Sequence, residues 1–244
     1  MKIKCVSLLL LLISSNHLFS QSDYSLGVSF GYGMNIYRNS NSTDKNHFTF
    51  KHPFTANLSV KLIKNMDENN KLFAEVFYTR KKIEFEYNLN EPAIPFKNRE
   101  IIGQSYDCIS LYVGYRKVIS GNALSTFIDL SFGADYNTNV LVSNKGNGQA
   151  QDELDGTVFY ENYGNTNLGE KSYTLSSNIG AGLIFGTRNQ YEVGAFLNFP
   201  FYKIQADVSS YQYIWKYEDK QYVHQLNYKG QIYYPSIKVT YYIF

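Results

Sequence analysis

Covalent reinforcement is nearly absent from this chain. It has two cysteines, and Cys5 lies in an N-terminal segment expected to be removed, which leaves Cys108 with no intramolecular partner. Long apolar runs are missing too. The longest, Val6 to Ile13, spans about eight residues against the ~20 that a membrane-crossing helix requires. No proline- or serine-rich linker divides the 244 residues, so one domain is expected. Basic clusters are lacking, which removes the phosphate contacts on which nucleic-acid binding depends. There is no glycine-rich phosphate loop, and no pair of candidate ligands recurs at the short spacings of structural zinc sites.

Met1, Lys2, Ile3 and Lys4, then the apolar run, then Ser20 before Gln21 have the layout of a cleaved signal peptide. Residues 1–20 are read as the signal and 21–244 as the domain. Lipid anchoring is not expected, because Cys5 precedes the apolar run. Loss of Lys2 and Lys4 lowers Lys plus Arg from 23 to 21, equal to the 21 Asp plus Glu, so the mature chain is close to neutral.

What the chain has is alternation, and 23 tyrosines with 17 phenylalanines. Tyr24, Leu26, Val28, Phe30, Tyr32, Met34 and Ile36 share one parity, with Ser25, Gly27, Ser29, Gly31, Gly33 and Asn35 on the other. A period of two indicates a strand with two unlike faces. Eight such segments recur. Short turns near 64–70, 120–122 and 187–189 alternate with longer connections, the longest being Ser143 to Ser172, which is assigned no structure. All short turns therefore fall on one rim, as in an antiparallel up-and-down transmembrane β-barrel of eight strands. Near Arg80, Lys81 and Lys82 the apolar parity switches to Ile83, Phe85 and Tyr87, and a β-bulge is expected there.

Alternation alone does not tell a soluble barrel from a membrane one; volume does. Eight strands enclose a space just wide enough to be filled by side chains. The bulky parity is too large for it, whereas the glycines, serines and asparagines of the other parity fit. The inward face then carries Lys61, Glu75, Arg116, Asp129, Asp135, Glu192 and Lys238, expected to pair across the lumen. Tyr173 and Phe185, with Tyr24, Tyr115, Tyr136 and Tyr191, are placed at strand ends as an aromatic girdle. Phe48, Phe50, Tyr211, Tyr213, Trp215, Tyr217 and Tyr222 are expected on a raised sheet above the membrane, where they either form an exposed aromatic surface able to bind a partner or, the favoured reading, lie in the outer leaflet or pack on one another.

With Gln21 after the signal and the ending Val239, Thr240, Tyr241, Tyr242, Ile243, Phe244, the chain resembles the small outer-membrane barrels of the OmpA and OmpX type. It is similar also to the outer-membrane β-barrel proteins of the Bacteroidetes, PorT-like ones among them. The resemblance implies the outer membrane of a Gram-negative bacterium and insertion by barrel-assembly machinery. The expected function is non-enzymatic, in envelope structure or surface interaction through the long loops, with outer-membrane lipid and a surface protein or glycan as partners and a monomeric state. A narrow passage for small solutes is the alternative. A lipid-modifying enzyme is the third reading, but His47, His52 and His224 have no spacing that ties them to a serine and an acid. No cofactor or metal is expected, Asp152, Glu153 and Asp155 being read as a solvated acidic loop, and Cys108 as a small buried residue.

Overall fold

The computed structural model describes residues 23–39, 46–94, 97, 99–121, 124–143, 159–167, 172–186, 190–203, 207–217 and 220–243. Twelve strands follow one another: β1 (Tyr24–Met34), β2 (Ile36–Asn39), β3 (Phe48–Lys51), β4 (Phe54–Asn65), β5 (Asn70–Asn88), β6 (Arg99–Ile119), β7 (Ser125–Ser143), β8 (Phe159–Asn167), β9 (Ser172–Phe185), β10 (Tyr191–Lys203), β11 (Asp207–Tyr217) and β12 (Lys220–Tyr242). Eight of them, in the order β1-β4-β5-β6-β7-β9-β10-β12, form an antiparallel barrel that β12 closes by pairing with β1. The expected signal segment, 1–20, and Asp152, Glu153 and Asp155 lie outside the described residues.

Within the barrel the alternation is inside-out. Outward residues are apolar and exposed, among them Phe30, Leu58, Val76, Leu111, Val113, Phe132, Ile179, Ile237 and Val239. Inward residues are mostly small, polar or charged, with a few rings such as Phe73, Phe77, Tyr112, Phe127 and Phe196 packed among them. Closure leaves no unpaired edge, the condition for strands to cross hydrocarbon. Aromatic rings sit at strand ends: Phe185 stacks on Tyr191 at 5.7 Å, Tyr191 lies 5.5 Å from Tyr241, and Tyr136 lies 4.9 Å from Tyr173. The twelve residue steps from Tyr173 to Phe185 cover ~40 Å of strand, or ~30 Å along a barrel axis at the usual tilt, against an apolar band of ~25 Å. At the turn rim, the Asn65 amide donates to the Asp23 carbonyl (2.7 Å), the Val118 amide to Asn69 (2.7 Å), and the Ile243 amide to Leu26 (2.8 Å). Both described ends of the chain and the short turns therefore share one rim, which faces the periplasm in barrels of this kind.

Four strands are far longer than a crossing requires. β5 has 19 residues, β6 21, β7 19 and β12 23, against the 9–11 or so that span a bilayer. The excess, ~10 residues or ~33 Å of strand, rises beyond the other rim. There the barrel wall parts into two sheets. Pro53 has no amide to donate, and it separates β3 from β4; the Asn35 amide bonds to the Pro53 carbonyl at 2.9 Å where β1 gives way to β2. β3 then pairs with β5, while β2 continues the pairing of β1 with β12. β12 also carries β11, and β11 carries β8. The Ser143 to Ser172 connection was expected to be structureless, yet it contributes β8 as the outermost strand, because β11 offers a free ladder edge for it.

No bulge occurs at Arg80–Lys82. β5 stays in continuous register with β6 from Asn70 to Asn88, and the register shift lies instead where β6 meets β7, between Tyr106 and Cys108. Phe73, Glu75, Phe77, Thr79, Lys81, Ile83, Phe85 and Tyr87 all point inward and are buried. What changes at residue 80 is the solvent outside. Below it the outward face meets lipid and is apolar; above it Lys82 and Glu84 face water, and the inward face becomes apolar.

Candidate functional site

The lumen is crossed by ion pairs. Four cations, Lys61, Lys81, Arg116 and Lys238, meet four carboxylates, Glu75, Asp129, Asp135 and Glu192, all buried. The Arg116 guanidinium grips Asp129 with two bonds, Nε to Oδ1 at 2.6 Å and Nη2 to Oδ2 at 2.7 Å, and reaches Glu192 at 2.6 Å through Nη1. Lys61 bonds Asp129 at 3.0 Å, Lys238 bonds Glu75 at 2.8 Å, and Lys81 bonds Asp135 at 2.9 Å. Tyr242 donates to Glu192 at 2.6 Å, and Tyr112 donates to Asp135. Aromatic faces cover the cations: the Arg116 guanidinium lies 4.0 Å above Phe127, and Lys238 lies 4.4 Å from Phe77 and 4.6 Å from Phe196. Gly180 permits this filling, since a Cβ there would stand 2.3 Å from the Phe196 ring. Lys81, Tyr112 and Tyr242 were missing from the sequence-derived set. Continuing the inward parity of Phe73 to Thr79 by one more step would have found Lys81, and the expected bulge hid it.

Above the lumen, the two raised sheets face each other over an apolar core. Tyr37, Phe48, Ile83, Phe85, Tyr87, Leu89, Ile94, Tyr106, Tyr213, Trp215, Leu226 and Ile232 are all buried in it, with Phe50, Tyr217 and Tyr222 packed alongside. Of the two expectations for these rings, the exposed binding surface is corrected in favour of rings that pack on one another: Phe48, Tyr213 and Trp215 point into the cap rather than out of it, and Phe50, Tyr217 and Tyr222 are half-buried. Tyr211 lies on β11 opposite Leu226 and Gly164, its side chain outside the described set. Two sheets supply each other with a covering face, so rings that a single sheet would expose are enclosed.

Polar groups cluster in one corner of this core. Tyr87 stacks on Tyr213 at 3.8 Å, its hydroxyl accepts a 2.7 Å bond from the Trp215 indole, and the same hydroxyl lies 2.7 Å from Nδ1 of His224. Nε2 of His224 stands 3.0 Å from Oε1 of Glu91, and Nε2 of His47 stands 3.4 Å from that same oxygen. The two imidazoles stack at 3.7 Å. Both histidines are buried, and Glu91 is about a quarter exposed, at 24%. His52 is exposed between β3 and β4 and takes no part. Sequence spacing gave no sign of this grouping, since its members come from two connections and the three strands β5, β11 and β12. The hydroxyl beside His224 is the phenol of Tyr87 and it meets Nδ1, whereas a hydrolase triad pairs an aliphatic hydroxyl with Nε2 and the acid with Nδ1.

On the cap's outer face Glu86 is held by Lys51 at 2.6 Å and Arg99 at 2.7 Å. The bonds from Arg99, then Lys51 and Asn88, lower its carboxyl pKa to about 2.

No family model matches the chain, and no curated protein matches it. Among solved structures it is similar to Ail, the attachment invasion locus protein of Yersinia pestis, in complex with the heparin analogue sucrose octasulfate (12% identity, TM-score 0.37, 91% of this chain and 99% of that one). It is similar also to the outer membrane protein OprG from Pseudomonas aeruginosa (7%, 0.41, 91% and 96%) and to Neisserial surface protein A (8%, 0.40, 90% and 97%). This chain is an eight-stranded antiparallel barrel with an apolar exterior, the small outer-membrane barrel architecture.

Proposed function

We propose that the protein is a non-enzymatic outer-membrane barrel of a Gram-negative bacterium that presents a rigid, water-facing cap for interaction at the cell surface. The observation that carries this reading is the pair of sheets raised beyond the lipid band, with a core of their own. Strands that only crossed the membrane would have no use for the extra ~10 residues. Loops and strand tips held on a rigid scaffold are where binding concentrates, and the cap's outward face, with Arg80–Asp107 at 3.0 Å and Lys51–Glu86 at 2.6 Å, is polar and paired. A surface protein or glycan is the partner class in this reading, the protomer is a monomer, and the signal peptide is removed during export. The passage alternative is disfavoured by buried ion pairs that fill the lumen from β4 to β12.

The test joins two measurements. A photo-crosslinking amino acid is placed on intact cells at cap positions Lys82 and Lys216, and in the lipid band at Val239. Reproducible macromolecular adducts from the cap positions alone are expected, together with no ionic conductance when the purified barrel is reconstituted in planar bilayers. A steady conductance with no cap-specific adduct transfers the assignment to solute passage.

A further inference from the structure

We propose that His47, Glu91 and His224 form a binding site in the cap for one divalent transition-metal ion, of the borderline class that accepts imidazole and carboxylate ligands together. The ligating atoms already have the spacing of a coordination sphere. Nε2 of His224 and Nε2 of His47 lie 3.0 Å and 3.4 Å from the same Glu91 oxygen, and all three ligand atoms fall within 4.8 Å of one another. Tetrahedral ligands ~2.0–2.2 Å from a zinc-like ion stand ~3.3–3.5 Å apart, so the site is completed when the two imidazoles, stacked at 3.7 Å, rotate until both Nε2 lone pairs converge on the ion.

The surroundings fit an ion as well as the distances do. A metal-binding imidazole is normally oriented by a hydrogen bond at its other nitrogen, and Nδ1 of His224 meets the Tyr87 hydroxyl at 2.7 Å. That hydroxyl is itself fixed by the Trp215 indole and by the stacked ring of Tyr213. Burial of both histidines supplies a water-poor seat. The partial exposure of Glu91 leaves a path for the ion from outside and a side open for a fourth ligand. Calcium and magnesium prefer all-oxygen sets, so two imidazoles select against them. The ion would tie the turn before β3, the connection after β5 and the upper part of β12 to one point.

The chain's single tryptophan, Trp215, is one hydrogen bond from Tyr87 and serves as the reporter. The refolded full chain is titrated with Ni²⁺ alone while indole fluorescence is followed. Expected is saturable quenching at one equivalent, reversed by Zn²⁺ and insensitive to Mg²⁺. His47→Ala and Glu91→Gln each weaken the apparent affinity by more than about 10-fold, and Tyr87→Phe weakens it by about 10-fold, the range in which second-shell changes act. Retention of the heat-dependent shift in electrophoretic mobility shows that each variant still forms the barrel. With that shift retained, absence of saturable quenching, quenching that Mg²⁺ reverses equally well, or unchanged affinity in His47→Ala and Glu91→Gln overturns the site and leaves a hydrogen-bonded structural cluster.

Discussion

At the residue scale, the charges divide by the solvent that their neighbours exclude. Lys61, Arg116 and Lys238 lie under aromatic rings with carboxylates in contact, so each is held by partners that cannot leave. Glu86, on the cap, depends instead on two cations and an amide that water also touches. Its folded pKa is about 2, against an ordinary 4.5. A depressed carboxylate pKa stabilises the fold above the unfolded value, and that contribution disappears as pH falls from about 4.5 towards 2. Glu86→Gln is therefore expected to lower cap stability at neutral pH and to equal the parent near pH 2. Denaturant titrations of both proteins at several pH values, read through Trp215 emission, check the convergence; a gap independent of pH would contradict it.

At the scale of the element, β5 is the most instructive strand. The outward face of its first half is apolar, at Leu72, Val76 and Tyr78, with Phe73 and Phe77 inside, and its second half is apolar on the inward face, at Ile83, Phe85 and Tyr87. Its outward face passes from lipid to water near Arg80. A lysine at Val76, on the lipid side of that boundary, is expected to cost about 2–4 kcal/mol, whereas the native Lys82 occupies the same face above it. Reversible unfolding of Val76→Lys in lipid vesicles measures the cost. Alternation was legible in the sequence for all eight barrel strands, as was the choice of which parity faces lipid, because volume decides it. The halves of β5 were legible as one strand continuing beyond the membrane, but not as a strand without a bulge. An apolar parity switch reads equally well as an added residue or as a change of solvent, and only pairing with β6 distinguishes them. β8 was hidden for a related reason: Phe159–Asn167 has little alternation of its own and is a strand because β11 lies beside it. The His47–Glu91–His224 grouping depends on two connections folding over β12, which no local spacing encodes.

At the scale of the whole molecule, a lipid-embedded barrel with a polar interior carries a water-facing cap with an apolar one. The barrel is fixed by closure and by buried ion pairs; the cap is fixed by rings between two sheets. Denaturant in lipid is expected to melt them separately, since the cap's core is open to urea from the aqueous side while the barrel is shielded. Loss of Trp215 burial should precede loss of the heat-dependent mobility shift, and coincident transitions would show one cooperative unit.

The position of Pro53 has a bearing on biogenesis. Because the ladder parts there, the cap's halves are tethered by the barrel yet not stitched to each other by a continuous wall. During insertion the strand tips can cross the bilayer as separate flaps, with Phe48, Phe85 and Trp215 turned away from lipid, and condense only after both have emerged on the far side. A cap whose halves are joined only through the barrel has its packing search set by the strands beneath it. Short, aromatic, mutually facing sheets already aligned by the strands beneath them reduce that search to a hinge closing.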